Sequence, residues 1–142
     1  MMEASAYLQP LVNTIIPRAL KNGLAVLSPV EKNIFLVWCY PAAINDGGHA
    51  SFFYNSYGDF AKETVQALRD IGARDYADIL ERAIDQFPMQ EVPRDIVKRN
   101  EVFNSLSEVN HQAMEDCDSK FYDLGGDELL SRLFRYGGGC AA

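Results

Sequence analysis

Apolar positions recur at three- and four-residue steps along almost the whole chain, and this spacing predicts helices. Residues 7–21 read as a first helix, interrupted or kinked where Pro10 and Pro17 lack a backbone donor, with Gly23 marking its end. Ser28-Pro29-Val30-Glu31 then gives a strong start signal. Ser28 can cap, Pro29 suits the first helical position, and Glu31 can reach back to complete a capping box. The run it opens, Ile34 to Tyr40, would by itself suit a buried strand equally well. The cap and the lack of a partner strand decide for a helix, which Pro41 bends or ends.

Asn45-Asp46-Gly47-Gly48 reads as a turn, followed by an aromatic segment, Phe52-Phe53-Tyr54, of one or two helical turns packed inward. A second turn, Asn55 to Gly58, leads to a helix near Asp59, with Phe60, Thr64, Leu68 and Ile71 on one stripe and Gly72 as its C-terminal cap. Tyr76, Leu80, Ala83 and Phe87 repeat the pattern up to Pro88. Pro93 can open the next helix, with Ile96, Phe103 and Leu106 inward. Met114, Cys117, Phe121 and Leu124 define another, Gly125-Gly126 breaks it, and Leu129, Leu133 and Tyr136 define a last one. Connections are short and no repeat divides the chain. The expectation is an all-α, compact single domain over 1–136, a bundle of about six to eight short helices. Residues 137–142 read as a flexible, Gly-rich tail.

Composition narrows the class. A chain of 142 residues can bury a core without disulfides or metals, and 48% hydrophobic with 23% charged residues is a globular mix. No apolar run approaches the ~20 residues of a membrane span. The opening Met1-Met2-Glu3-Ala4 lacks the basic and apolar parts of a signal peptide. Cys39, Cys117 and Cys140 are odd in number and widely spaced, which suits reduced thiols, so a cytoplasmic location is expected.

The net charge of −7 is unevenly placed. Residues 1–58 hold three acids and three bases, so the whole excess lies in 59–142. Residues 101–128 contain eight acids against Lys120 alone. Such a surface repels nucleic acid and anionic membranes and attracts basic proteins. Were 101–118 one continuous helix, Glu101, Glu108 and Glu115 would recur every two turns, about 10.5 Å apart. Asp116, Asp118 and Asp123 extend that face, and Asp78, Glu81 and Asp85 share a second one opposite Tyr76, Leu80 and Ala83. Carboxylates on rigid helices can imitate the charge pattern of a phosphate backbone. Charge alone favours an ordinary solvated surface.

Catalytic motifs are missing. There is no nucleophile elbow, phosphate loop, dinucleotide-binding glycine pattern or zinc-protease helix, and an enzyme is not expected. The enzymatic alternative is a hydrolase or metal-dependent site built from Asp46, His49, His111 and Glu115, two pairs at three- and four-residue spacing. Neither a cofactor nor a metal is otherwise indicated. The aromatic group Trp38, Tyr40, Phe52, Phe53, Tyr54 and Tyr57 could line a pocket, but core is the better expectation.

One stretch carries a resemblance. Leu36-Val37-Trp38, Ile44-Asn45-Asp46-Gly47-Gly48 and Phe52-Phe53-Tyr54-Asn55-Ser56-Tyr57-Gly58-Asp59 resemble the central signature of a bacterial helical family named after the neisserial DNA-mimic protein. The similarity continues through Ala67-Leu68, Ile71-Gly72-Ala73, Phe87-Pro88, Asp118 and Phe121-Tyr122, covering roughly 28 to 136. Asp46 stands where the family usually has Asn, and His49 where it usually has Phe. The resemblance implies an all-helical fold, often dimeric, whose acidic surface occupies the DNA-binding site of a transcription factor. The signature residues Trp38, Asn45, Gly47, Gly48, Phe52, Phe53, Asn55, Ser56 and Gly58 set turns and core; mimicry would reside in surface carboxylates outside them. The expected partner is thus a basic, DNA-binding protein, with an immunity or antitoxin-like protein that plugs a basic toxin as the alternative.

Overall fold

The computed structural model describes residues 2–141, with side chains described over 6–137. Seven α-helices and no strand occur among the described residues: α1 (Met2–Asn22), α2 (Pro29–Tyr54), α3 (Ala61–Asp70), α4 (Arg74–Ile84), α5 (Ile96–Asn104), α6 (Glu108–Leu124) and α7 (Gly126–Ala141). The chain is the all-α bundle its apolar spacing predicts. The last helix runs to Ala141, into the segment expected as a tail, 137–142, whose last residue and whose side chains after Gly137, Cys140 among them, lie outside the described residues.

Two helices organise the rest. In α1, Leu8, Val12, Ile15 and Ala19 form one buried stripe, and both prolines sit within the helix. Helix α2 opens with the full capping box: the Glu31 backbone N–H donates to Ser28 Oγ at 3.1 Å, and the Ser28 N–H donates to Glu31 Oε1 at 3.0 Å. It packs against α1, α3, α5, α6 and α7, while α4 is held between α3 and α6.

Of the two outcomes expected at Pro41, a bend or an end, the second does not occur: α2 continues through it. An internal proline costs roughly 3 kcal/mol. Here Tyr40, Ala43 and Ile44 around it are fully buried, and each large apolar side chain returns about 1.5–3 kcal/mol. The helix instead breaks at the glycine pair, where Gly47 (φ −179°, ψ 31°) and Gly48 (φ 73°, ψ −164°) leave helical geometry. The aromatic segment beyond that kink then points inward. Phe52 meets Phe53, and Phe53 meets Phe87 of the segment after α4 at 4.8 Å between centroids. Tyr40 and Tyr76 both meet Phe121 of α6, at 5.2 Å and 5.6 Å.

Two further expectations are corrected. Pro93 does not open α5; Asp95 does, its carboxylate accepting from the Lys98 N–H at 2.9 Å. Ile96 is consequently 38% exposed, because the inward stripe of α5 belongs to Arg99 and Phe103. The span 101–118 is not one helix either. It breaks after Asn104, and Ser107 caps a new helix by accepting from the Asn110 N–H at 3.2 Å.

Candidate functional site

The break at 105–107 reorganises the acidic face. Glu101 stays on α5, out of register with the acids of α6, so the three-member row does not exist. Met114, Cys117 and Phe121 turn one side of α6 into the core. At 100° per residue this leaves Glu108, Glu115, Asp116 and Asp123 on the opposite side, all exposed. Each seven-residue pair, Glu108 with Glu115 and Asp116 with Asp123, spans about 10.5 Å along the helix. Among the described residues these four, Glu101 and Asp85 form no ion pair.

The α4 row differs. Arg69 of α3 reaches Asp78 at 3.4 Å and Glu81 at 3.3 Å, so two of its three carboxylates are already faced by a cation. Asp75 and Glu128 are likewise engaged by Arg132, which also lies 5.2 Å over the Tyr76 ring. Burial alone would raise the Asp75 carboxyl, but hydrogen bonds from Arg132 and from the Tyr76 N–H outweigh it and lower its pKa.

Asp118, grouped with the surface acids by sequence, has another role. Its Oδ1 accepts from the His49 backbone N–H at 2.7 Å and lies 2.6 Å from His49 Nδ1. A carboxylate only accepts, so a ring proton sits on Nδ1, and in the neutral imidazole this leaves Nε2 to accept from the Tyr40 hydroxyl at 2.7 Å. Tyr40 and His49 are both fully buried. The hydroxyl, ring and carboxylate form one chain that ties the α2 kink to α6. Gly48 makes room for it: a Cβ there would stand 2.3 Å from Asp118 Oδ2.

A second hub is a residue that sequence reasoning missed. Arg99 is fully buried, and its guanidinium donates to the carbonyls of Phe53 (2.7 Å), Pro93 (2.9 Å), Arg94 (2.9 Å) and Asn55 (2.8 Å). The Asp59 carboxylate approaches at 2.9 Å without an aligned hydrogen bond, so charge rather than geometry holds that pair. A Cβ on Gly58 would stand 2.7 Å from Arg99 Nε. Within Lys98-Arg99-Asn100 this arginine looks solvated; its only sequence signal is the four-residue step to Phe103. The signature glycines thus serve two buried polar centres. Asn55 adds a side-chain bond to the Ser51 carbonyl at 2.8 Å, while Asn45 and Ser56 are exposed.

The aromatic group divides. Tyr40, Phe52 and Phe53 are core, and Tyr54 is 37% exposed. Trp38 and Tyr57 border a cleft of about 500 Å³ between α1, α2 and α3. Its thiol, Cys39, is pushed up to about 12 by burial and stays protonated.

The four residues of the enzymatic alternative are not brought together. His49 is enclosed as described, Asp46 accepts from Ser51 Oγ at 2.7 Å, and His111 sits edge-on to Phe103 with centroids 5.0 Å apart. No three His, Cys, Asp or Glu side chains among the described residues converge as ligands to one metal would. No helix among them is long and apolar enough to cross a membrane.

No curated protein and no solved structure matches the chain. The model of the DMP19-like protein family matches residues 25–137. That span holds the capping box, the kink with its Asp118 lock, the Arg99 hub and the outer acids of α6 together. The chain belongs to the DMP19-like protein family.

Proposed function

We propose that this protein is a non-catalytic binding domain whose outer α6 face engages a basic protein, competing there with nucleic acid, as the DNA-mimic protein behind the family name implies. The observation that carries the reading is the contrast between two acidic helices. Asp78 and Glu81 of α4 face Arg69, whereas Glu108, Glu115, Asp116 and Asp123 of α6 project on one side and form no ion pair among the described residues, Arg82 of α4 bordering the same groove beyond pairing distance. Exposed charges left unpaired are available to an incoming basic surface, and their attraction is screened within about 10 Å at 0.1 M salt. Glu101 stands apart on α5, and Asp118 faces inward, so neither belongs to the proposed contact.

The test is capture of partners from host lysate at low salt, followed by binding measurements on the identified partner. Supporting results are a basic DNA-binding protein, displacement by duplex DNA, and affinity that falls steeply with salt. Reversal of Glu108 and Glu115 to Lys should weaken binding, while Asp78→Lys should matter less. Salt-indifferent affinity, or equal effects at the two helices, would overturn the reading. A basic toxin as the partner would favour the immunity alternative.

A further inference from the structure

We propose that the cleft beside Trp38 binds a small, uncharged aromatic molecule. The site lies apart from the outer face of α6 and does not depend on that reading.

The rings carry the argument. Aromatic side chains gain most when packed edge-on or offset against another ring. This fold pairs nearly all of its rings in that way, Tyr7 with Phe134 at one edge and the sets around Phe53 and Phe121 in the core. Among the described residues, only Phe35, Trp38, Tyr57, Phe60 and Tyr136 meet no other ring. Tyr136 has a polar partner instead, its hydroxyl accepting from the Asn33 amide at 3.0 Å. The other rings all line one cleft. Unpaired rings that converge on a single space leave their surfaces to an incoming ring.

Shape sets the size of that ring's owner. At about 500 Å³ the cleft falls within the roughly 300–1,000 Å³ of small-molecule sites. It also has depth. Leu36, Phe52 and Thr64 of its lining are buried, whereas Leu20, which lines the same cleft, is 74% exposed. A hollow that runs from an exposed rim to the core suits a compact molecule better than a flat protein face.

Charge balance excludes ions. Asp59 is the only acid of the lining, and no Lys, Arg or His joins it. Its carboxylate is already answered by Arg99 at 2.9 Å, and its carbonyl accepts from Arg94 at 3.0 Å. Burial pushes the Cys39 thiol up to about 12 and raises the Tyr57 hydroxyl above its ordinary value, so both stay protonated at neutral pH. The Thr64 hydroxyl is committed to the Phe60 carbonyl at 2.8 Å. An ion of either sign would shed its water here and gain no counter-charge, a cost that an uncharged ring does not meet.

Trp38 is the chain's sole tryptophan, so the protein has one indole N–H resonance, and it reports on the cleft. The experiment titrates the full chain, at neutral pH and moderate salt, with probes of nearly one shape: acetophenone, benzoate, benzamidine and cyclohexyl methyl ketone. The expected result is a saturable shift with acetophenone and at least about tenfold weaker binding of benzoate and of benzamidine. The saturated ketone should bind about three- to tenfold more weakly than acetophenone, having lost the ring–ring contacts. Phe60→Leu removes one of the unpaired rings and should weaken acetophenone while leaving the saturated ketone unchanged. Either ion binding as tightly as acetophenone, a saturated ketone that equals it, or an absence of saturation would each overturn the proposal, and these wild-type outcomes stand whether or not the variant folds. So would a Phe60→Leu variant of wild-type helicity that loses both ketones alike. An indole signal that moves on dilution of the protein alone would place a second copy in the cleft and overturn it too.

Discussion

Asp118 on α6 accepts from two groups of His49 on α2, the backbone N–H at 2.7 Å and ring Nδ1 at 2.6 Å, across 69 residues of sequence. Both donors lie beside the only residues of α2 that leave helical geometry. Removing the acceptor strands two buried donors, each worth about 1–3 kcal/mol. Asp118→Ala should therefore lower the unfolding free energy by about 2–4 kcal/mol in urea titrations, while Asp118→Asn, which keeps one oxygen, should lose less than half as much. A loss below about 1 kcal/mol for Ala would show that the lock is dispensable.

The kink makes a separate demand. Gly48 combines φ 73° with ψ −164°, a region that side chains rarely enter, and any Cβ meets the Asp118 carboxylate. Gly48→Ala carries both penalties and should cost more than about 3 kcal/mol. Gly72, also at positive φ (83°) but open to space, is the control. Gly72→Ala should cost about 1 kcal/mol. Equal thermal shifts for the two would mean that strain alone, not the Asp118 contact, explains the position.

Arg99 gathers carbonyls from the C-terminal end of α2 and from the loop before α5. Arg99→Met leaves these acceptors and Asp59 unpaired in the interior, a loss of about 3–5 kcal/mol. Arg99→Lys should rescue little, since three donors on a single nitrogen cannot reproduce the planar fork. Denaturant midpoints of both variants decide this; a lysine variant close to wild type would show that charge alone suffices.

The N-terminal cap of α2 is a pH-dependent element. Hydrogen bonds from Arg18 and from the Ser28 N–H hold the Glu31 carboxyl at about 2, down from 4.5. A folded-state pKa below the unfolded one stabilises above the unfolded value and is lost as pH falls through the folded one. Glu31→Gln retains capping ability without the charge. The wild type should exceed it by about 0.5–1 kcal/mol at neutral pH, after discounting for solvent screening of an exposed pair. The two curves should merge between about pH 4.5 and about pH 2. A difference constant across that window would assign the effect to the cap's geometry.

Local signals were legible. Ser28, Pro29 and Glu31 announce α2 because a capping box needs only neighbours, and the stripes of α3, α4 and α6 follow from periodicity alone. The misreadings share a cause in tertiary packing. Pro41 is tolerated because of the core around it, and Ile96 is displaced because Arg99 takes the inward position. The acidic row failed at Ser107, whose spacing to Asn110 is a cap, though a weaker one than a Ser–Glu box. Asp118 was unreadable as a lock because carboxylates inside and outside a fold look alike in sequence. Arg99 left almost no trace, since its partners are carbonyls that every residue carries.

The two sides of α6 answer to different constraints. Inward, Met114, Cys117, Asp118 and Phe121 each have a fixed partner or a filled volume, so substitution there disturbs the skeleton. Outward, Glu108, Glu115, Asp116 and Asp123 touch nothing the fold requires, and single changes there should stay within about 0.5 kcal/mol. The helix therefore works like a key blank: its shank is frozen, and its teeth can be recut without reforging the metal. The outer face of α6 can thus change its charge pattern while the skeleton behind it stays superimposable.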